Sequence, residues 1–357
     1  MSDAGHQEVT EEVKEVVTSK FVCTANHGFA PYAQEELHRL FGSVKSTMLV
    51  PGEVFAVTLQ HPADVVREQI SKTEPIFLRH IFQVGWEYRL GEGDTANWKS
   101  DLTDYILADE NLARAKIAVQ VRKSEVSLWE GSAAEFKESI QSSLSVLNGD
   151  FVVRDAEFVI SVFVGKEYVF AGITSPADNI SDWNGGAIRF QREDGQISRA
   201  KFKLLEAEVA FGIPFASFRE ALDIGAAPGG WTSFLLERGL KVTAVDPAKM
   251  DASLLSSPRL TYLRKNADNV KFKDNQFDLL VCDMSWSPKG TAKLVTDLLY
   301  ALAPGGTAIV TVKLLHKKPM SLIQEIIEIF QGARLQVQRA KQLFHNRDEI
   351  TLYMIKY

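Results

Sequence analysis

The sequence lacks several features that would assign a class at once. Only two cysteines occur in 357 residues, Cys23 and Cys282, and they lie far apart in the chain. They cannot form a disulfide framework and match no zinc-ligand spacing, so we expect a reduced, cytoplasmic protein without a metal site. No uninterrupted apolar run approaches the ~18 residues of a membrane span, and we expect no membrane association.

A surplus of basic residues is also missing, because the net charge is −6. This argues mildly against nucleic acid as a partner, and we expect no DNA binding. Basic residues are nevertheless concentrated in 189–203 and 313–357, and a local patch can bind RNA on an acidic protein. Ordinary solvated faces explain these clusters equally well. The candidate RNA contacts are Arg199, Lys201, Lys317, Lys318 and Arg347.

The pattern of predicted elements divides the chain into blocks, without internal repeats. Residues 1–19 are polar and acidic and lack the regions of a signal peptide, so we expect a flexible tail. Blocks 20–95 and 96–175 mix strands and helices, and 176–197 is a linker rich in Pro, Asp, Asn and Gly. In 198–357 strands and helices alternate, which predicts an α/β fold with a doubly wound parallel sheet.

The last two predicted strands, 334–344 and 350–355, are separated by a short polar turn. The turn is too short for a helical crossover, so the two strands must be antiparallel. Such a terminal hairpin is typical of a methyltransferase sheet and is absent from a standard dinucleotide dehydrogenase sheet.

A glycine-rich loop, LDIGAAPGGW at 222–231, follows a predicted strand and opens a helix. Its glycines allow a tight turn and close approach to a ligand. The loop is not Gly-x-Gly-x-x-Gly, and it suits S-adenosylmethionine, which has no pyrophosphate. Asp246 ends the next strand, where ribose hydroxyls take a carboxylate, and Asp268 could accept from the adenine amino group. The predicted cofactor contacts are Asp223, Gly225, Ala227, Pro228, Gly229, Gly230, Trp231, Asp246, Asp268 and Asp283.

The segment after the fourth strand bears on which atom is methylated. It lacks the Asn/Asp-Pro-Pro-Tyr/Phe motif of base amino methyltransferases. A cytosine-C5 enzyme needs a loop cysteine, but Cys282 falls inside the strand and points away from Asp283, so we expect it in the core. Trp286 could stack on a target base or cover the sheet, and both interpretations remain open.

Two lysines and two carboxylates are predicted near the crevice at the carboxyl ends of the strands: Lys203, Asp283, Lys313 and Glu349. This combination suits transfer to an alcohol, because a ribose hydroxyl is a poor nucleophile until its proton is removed. Ordinary surface ion pairing would account for the same residue types.

Five segments of the third block together resemble the FtsJ-like RNA ribose 2′-O-methyltransferases: 198–204, 223–231, 282–284, 312–314 and 345–349. The resemblance implies a Rossmann-like, seven-stranded, S-adenosylmethionine-dependent methyltransferase domain. The family's Lys-Asp-Lys-Glu catalytic tetrad falls on Lys203, Asp283, Lys313 and Glu349. We prefer Lys203 to Lys201, because the family often has an aromatic residue at the position of Lys201.

Segments 168–172, 181–185 and 189–190, with the run from 198, resemble a branch of this family that methylates a cytidine ribose of 23S ribosomal RNA. That branch implies a ferredoxin-like domain for 20–95 and an RNA-binding THUMP-like domain for 96–175. It also implies 23S ribosomal RNA or a ribosome-assembly particle as the partner. The alternatives are an RNA-binding protein with a degenerate or regulatory methyltransferase domain, and a methyltransferase acting on transfer RNA. A small-molecule or protein substrate would leave the N-terminal blocks unexplained.

Overall fold

The computed structural model describes residues 17–91, 97–192, 194–314 and 318–357. Within these ranges the strands form three sheets. Most of the tail predicted at 1–19 lies outside the described residues. No helix of the described part is both long and apolar enough to cross a membrane.

The first sheet comes from the N-terminal part of the chain and follows a βαββαβ order. Its elements are β1 (Ser19–Thr24), α1 (Ala30–Phe41), β2 (Val44–Val50), β3 (Val54–Leu59), α2 (Ala63–Lys72) and β4 (His80–Gln83). The described strands pair antiparallel in the order β2-β3-β1-β4. Pro31 lies in the first turn of α1, where a missing N–H costs nothing, and Gly42 ends the helix at φ 75°. Strand β2 was not predicted, because most of this edge strand is exposed and it shows no buried face.

The second sheet has the order β5-β9-β8-β6-β7 in the described residues. Its elements are β5 (Trp86–Arg89), α3 (Trp98–Leu107), β6 (Lys116–Lys123), α4 (Ala133–Ser143), β7 (Asp150–Phe151), β8 (Phe158–Val164) and β9 (Tyr168–Thr174). Strands β8 and β9 form the antiparallel hairpin expected around Gly165. Strand β5 pairs with β9, although the sequence division puts it in the first block. The chain therefore passes from the first sheet to the second between residues 83 and 86. The sequence could not locate this transition, because the periodicity of one strand does not encode its pairing partner.

The third sheet has seven strands in the described residues, in the order β12-β11-β10-β13-β14-β16-β15. Its elements are α5 (Lys201–Phe211), β10 (Glu220–Ile224), α6 (Gly230–Glu237), β11 (Lys241–Val245), β12 (Leu260–Leu263), β13 (Phe277–Cys282), α7 (Pro288–Leu298), β14 (Leu302–Lys313), α8 (Pro319–Gly332), β15 (Leu335–Lys341) and β16 (Glu349–Lys356). Strands β10 to β14 pair in parallel, and β16 is antiparallel to both of its neighbours. The predicted terminal hairpin and the α/β, Rossmann-like fold class are confirmed.

Both faces of this sheet are covered by helices, so its central strands are apolar along their length. Leu279, Val281 and Ile309 belong to one core cluster with residues of α5 and α6. Leu280 and Cys282 belong to the other, with residues of α7 and α8. Each fully buried Leu, Ile or Val contributes roughly 1.5–3 kcal/mol. This packing fixes which side chains point toward α5, and that alternation builds the site below.

Candidate active site

Side chains from three neighbouring strands emerge on the α5 side of the third sheet. Strand alternation places Asp283 on the same face as Val281, and Lys313 on the same face as Ile309. Glu349 begins β16 and pairs in register with Lys313. Helix α5 lies across this face and contributes Lys203. The four residues of the predicted tetrad are therefore brought together.

The tetrad is a continuous ionic network. The Lys203 Nζ lies 3.0 and 2.9 Å from the two carboxylate oxygens of Asp283 and 2.6 Å from Glu349 Oε1. The Lys313 ammonium pairs with the other oxygen of Glu349. Lys203 thus bridges two carboxylates, whereas the Lys313 ammonium contacts one carboxylate among the described residues. Lys313 also keeps 19 % of its side chain exposed, compared with 4 % for Glu349.

The network stabilises charge despite its burial. Burial alone would lower the pKa of Lys203, but attraction to Asp283 and Glu349 outweighs it, and the pKa is raised. Burial would likewise raise the pKa of Glu349, but Lys203 and Lys313 together hold it below its ordinary value. Lys203 therefore stays protonated and Glu349 stays ionised across the neutral range.

The glycine-rich loop lies at the carboxyl end of β10. Gly225 has φ 74° and Gly229 has φ 117°, conformations that side-chain-bearing residues rarely adopt. Asp223 is buried beside the loop and accepts a hydrogen bond of 2.6 Å from Thr232 Oγ1. Burial, helped by the negative charges of Asp283 and Asp246 and opposed by the hydrogen bond from Thr232, raises the pKa of Asp223 to about 7.

The other predicted carboxylates line the same rim of the sheet. Asp246 follows β11 and accepts hydrogen bonds from the backbone N–H groups of Ala227 (3.1 Å) and Ala248 (2.7 Å). Asp268 is exposed in a short turn after β12. The rim is consequently acidic, which suits a cofactor carrying a sulfonium and an ammonium group.

The rest of the predicted cofactor loop is divided between the site and the core. Ala227 and Pro228 form the turn between Gly225 and the start of α6. Gly230 packs against the start of α5, since a Cβ there would lie 2.9 Å from Ser198 Cβ. The Trp231 side chain is buried, and its indole N–H donates to the Ala200 carbonyl at 2.9 Å. Only the backbone of Trp231 remains for a ligand, and its ring anchors α5.

The candidate RNA contacts fall into different environments. Arg199, Lys318 and Arg347 are exposed, and Lys317 lies outside the described residues. Lys201 does not fit the expectation: it is 6 % exposed, and its Nζ lies 2.9 Å from Glu237 Oε1. Lys201 lies on the face of α5 that packs against α6, so its side chain is directed at Glu237 and not at the solvent.

The segment at the end of the fourth strand of this sheet contains two further residues named in the sequence analysis, Cys282 and Trp286. Cys282 is fully buried in the core beneath α7 and α8, where no substrate can reach it. Trp286 follows the end of β13 and is 47 % exposed, so about half of its side chain is open to solvent. Its ring is available for stacking three residues after Asp283.

Some residues of the site were missed by sequence reasoning. Thr311 is buried, and its hydroxyl donates to Asp283 Oδ1 at 2.7 Å. Its position two residues before Lys313 on one strand could have revealed it, because i and i+2 share a face. Glu206 on α5 accepts hydrogen bonds from the backbone N–H groups of Phe344 (2.7 Å) and His345 (2.8 Å). No sequence signal indicates this contact, because 138 positions separate Glu206 from Phe344.

Comparison with known proteins gives one family match, one relative that is similar over nearly its whole length, and others that are similar over about half of theirs. A model of the FtsJ-like methyltransferases matches residues 196–334. The ribosomal RNA large subunit methyltransferase M of Laribacter hongkongensis is 32 % identical over 350 residues, which cover 94 % of this chain and 96 % of that protein. The protein of the same name from Halorhodospira halophila is 34 % identical over 201 residues, covering 54 % of this chain and 56 % of that one. Among solved structures, TrmN from Thermus thermophilus is 15 % identical with a TM-score of 0.40, covering 95 % of this chain and all of that one.

Proposed function

Because the chain belongs to the ribosomal RNA large subunit methyltransferase M family, we propose that it methylates a ribose 2′-hydroxyl of 23S ribosomal RNA through the tetrad. The chain is an S-adenosylmethionine-dependent RNA 2′-O-methyltransferase. The observation that carries the catalytic assignment is the bridging of Lys203 between Asp283 and Glu349, with Lys313 at the open end of the network.

The acidic rim and the glycine-rich loop fit the cofactor. When bound, S-adenosylmethionine supplies an electrophilic methyl group on a sulfonium and needs no metal. Gly225 and Gly229 allow the backbone to approach the ligand closely. Asp246 is oriented by two backbone N–H groups and retains lone pairs for ribose hydroxyls, while exposed Asp268 can accept from the adenine amino group. Asp283 adds a negative charge on the side that faces the substrate.

The tetrad has to orient a ribose hydroxyl and remove its proton. Lys203 is tied to two carboxylates that hold it charged, so it cannot serve as the base. Among the described residues Lys313 has one carboxylate partner, and its side chain is partly exposed, so its Nζ is the group that can meet the 2′-hydroxyl. Once this ammonium has released a proton to solvent, the neutral amine can take the proton of the 2′-hydroxyl as the oxygen attacks the methyl group. Glu349 orients both lysines, and Asp283, fixed by Thr311, orients Lys203 from the other side.

The parts around the tetrad would grip RNA. The βαββαβ order of the first sheet supports a ferredoxin-like domain, and we propose a THUMP-like RNA-binding domain around the second sheet. A recessed ribose must be reached by a strand that can be splayed out, so single-stranded or bulged RNA is favoured over a regular helix. Exposed Trp286 would stack on the target base, proposed to be a cytidine. Exposed Arg199, Lys318 and Arg347 would contact phosphates, and Lys317 is proposed on sequence alone.

The test is nuclease digestion and mass spectrometry of ribosomal RNA from cells with and without the gene. We expect one 2′-O-methylnucleoside of 23S ribosomal RNA to disappear, and in vitro methylation of naked RNA and of assembly particles would then identify the form that is the substrate. Unchanged ribosomal RNA with an altered transfer RNA would move the substrate to transfer RNA. Unchanged RNA of every kind would contradict the proposal. Action on ribosomal RNA in bacteria would require the cytoplasm, and the two free cysteines agree with that compartment.

A further inference from the structure

A side chain of the first sheet's unit reaches into the third sheet close to the tetrad. Asn26 lies in the loop after β1 and is 7 % exposed. Its Nδ2 donates to the carbonyl of Leu343 at 2.8 Å and to the carbonyl of Asn346 at 3.1 Å. More than 300 positions separate donor and acceptors along the chain. The contact therefore exists only when the two units are docked.

The segment that Asn26 holds is the turn between β15 and β16. We call residues 342–348 the tetrad turn, because Glu349 follows it directly. Inside the turn, Asn346 Oδ1 accepts from the Leu343 N–H at 2.8 Å and from Thr351 Oγ1 at 3.1 Å. The second bond ties the turn to β16 two residues beyond Glu349. The shape of the turn thus determines where β16 begins and where its first residue, Glu349, is placed.

The tetrad turn is held from two opposite elements. Helix α5 contributes Glu206, which accepts from the N–H groups of Phe344 and His345. The same helix carries Lys203, so one end of the turn moves with the tetrad lysine. Asn26 binds the carbonyl side of the turn. Without it, the Asn346 carbonyl would lose its side-chain donor, and the Leu343 carbonyl would keep the Asn346 N–H at 3.0 Å but lose its second donor, which favours a different turn geometry.

The orientation of the Asn26 amide is itself fixed. Arg79 donates from Nη1 to Asn26 Oδ1 at 2.6 Å and from Nε to the Gly185 carbonyl at 2.9 Å. The Arg79 guanidinium also lies 5.1 Å from the centre of the Phe344 ring. Because the arginine can only donate, the Asn26 oxygen must face it and the Asn26 nitrogen must face the tetrad turn.

We propose that Asn26 is a positioning residue for methyl transfer, which sets the tetrad turn so that Glu349 lies between Lys203 and Lys313. The inference rests on the proposed function of the tetrad. According to this proposal, the N-terminal part that forms the first sheet affects the rate of methyl transfer as well as RNA binding. A displacement of about 1 Å far from the reacting atoms can cost 10²-fold in rate, so the effect is measurable.

The decisive variant is Asn26→Asp, which keeps the acceptor for Arg79 and the side-chain size but removes both donors to the turn. We expect kcat for RNA methylation to fall about 10- to 100-fold, with the RNA KM and the S-adenosylmethionine Kd within about twofold of wild type. The low-pH step of the kcat profile at which Glu349 becomes protonated should also move to higher pH. Glu349 is faced by Lys203 and Lys313, with Asp283 beyond Lys203, and a looser turn weakens the two lysine contacts that hold the pKa of Glu349 down.

The matched control is Ser19→Ala in the same sheet. Ser19 is buried, and its hydroxyl donates to the His61 carbonyl at 2.7 Å, a bond that lies within the N-terminal part of the chain. We expect it to lower the unfolding temperature without changing kcat or the pH profile of the folded enzyme. If Ser19→Ala lowers kcat as much as Asn26→Asp does, or if Asn26→Asp changes only the RNA KM, the positioning role is wrong. Failure of the proposed function is separate, because the wild-type enzyme would then produce no 2′-O-methylnucleoside.

Discussion

Lys203 and Lys313 belong to one ionic network, but they differ in the number of carboxylates that they contact and therefore in the roles that we propose for them. Lys203 is locked between two carboxylates, and Lys313 shares only Glu349 among the described residues. We expect Lys313→Ala to lower kcat by about 10²- to 10⁴-fold, the range of a lost general base, while the cofactor Kd stays within about twofold. Calorimetric titration of the cofactor and single-turnover methylation separate the two quantities. Lys293→Ala, which removes an exposed lysine on α7 paired with Asp297, is the control. Activity surviving Lys313→Ala would remove the lysine from the chemical step.

Glu206 is a single residue whose ionisation state is coupled to folding. Burial raises its pKa from 4.5 to about 7, opposed by the two backbone N–H groups that it binds. Between these values the unfolded chain releases the proton first, so the contribution to stability is complete below about pH 4.5 and is lost as pH rises toward 7. We expect this group to lower the free energy of unfolding by up to about 3 kcal/mol between pH 5 and pH 8. Urea unfolding at both pH values should show a smaller loss for Glu206→Gln, and equal losses in the two proteins would contradict the coupling.

The glycine-rich loop and α6 form the element that we propose to bind the cofactor. At Gly229 a Cβ would lie 2.4 Å from Leu254 Cδ1 and 2.7 Å from Met250 Sδ, in addition to the unfavourable φ of 117°. Gly212 also has positive φ, 64°, but a Cβ there would meet nothing within 4 Å. We expect Gly212→Ala to cost about 1 kcal/mol of stability and leave cofactor binding unchanged. Gly229→Ala should also weaken the cofactor Kd about tenfold, because the loop must shift to relieve the clash. Equal Kd values for the two variants would argue against the loop assignment.

The elements also show how far a sequence can be interpreted. The third sheet could be predicted nearly completely, because its strands are apolar runs between amphipathic helices and its last turn is too short for a crossover. Strand β2 could not, since its exposed edge position leaves no alternating pattern. The partner of β5 could not either, because pairing is a property of two segments. At the site, residue types and spacing pointed to Lys203, whereas Asn26 and Glu206 act through contacts that only the tertiary structure creates.

At the scale of the whole molecule, the first and third sheets are joined through a buried lysine. Lys341 at the end of β15 donates from Nζ to the carbonyls of Pro75 and Leu78, both at 2.8 Å, and lies 2.7 Å from Glu74 Oε1. Lys341 and Arg339 hold the pKa of Glu74 below its ordinary value, although burial opposes them. The acceptors, in Glu74, Pro75 and Leu78, belong to the N-terminal part that forms the first sheet, whereas the donor, Lys341, belongs to the third sheet. The junction therefore couples the unfolding of the two parts.

Replacing this lysine by a side chain of similar length should uncouple the two parts. We expect Lys341→Met to leave two carbonyls and part of the Glu74 charge without a donor, to cost about 2–4 kcal/mol at the junction and to split calorimetric unfolding into two transitions. Lys356 is the matched control, because its Nζ donates to the carbonyls of Leu299, just before β14, and Leu302, at the start of β14, at 2.7 and 2.6 Å. Both bonds lie on the C-terminal side of the junction. Lys356→Met should shift the unfolding without splitting it. A single, equally shifted transition in both variants would mean that the units are coupled elsewhere, and Asn26, which crosses the same junction, would be the next contact to remove.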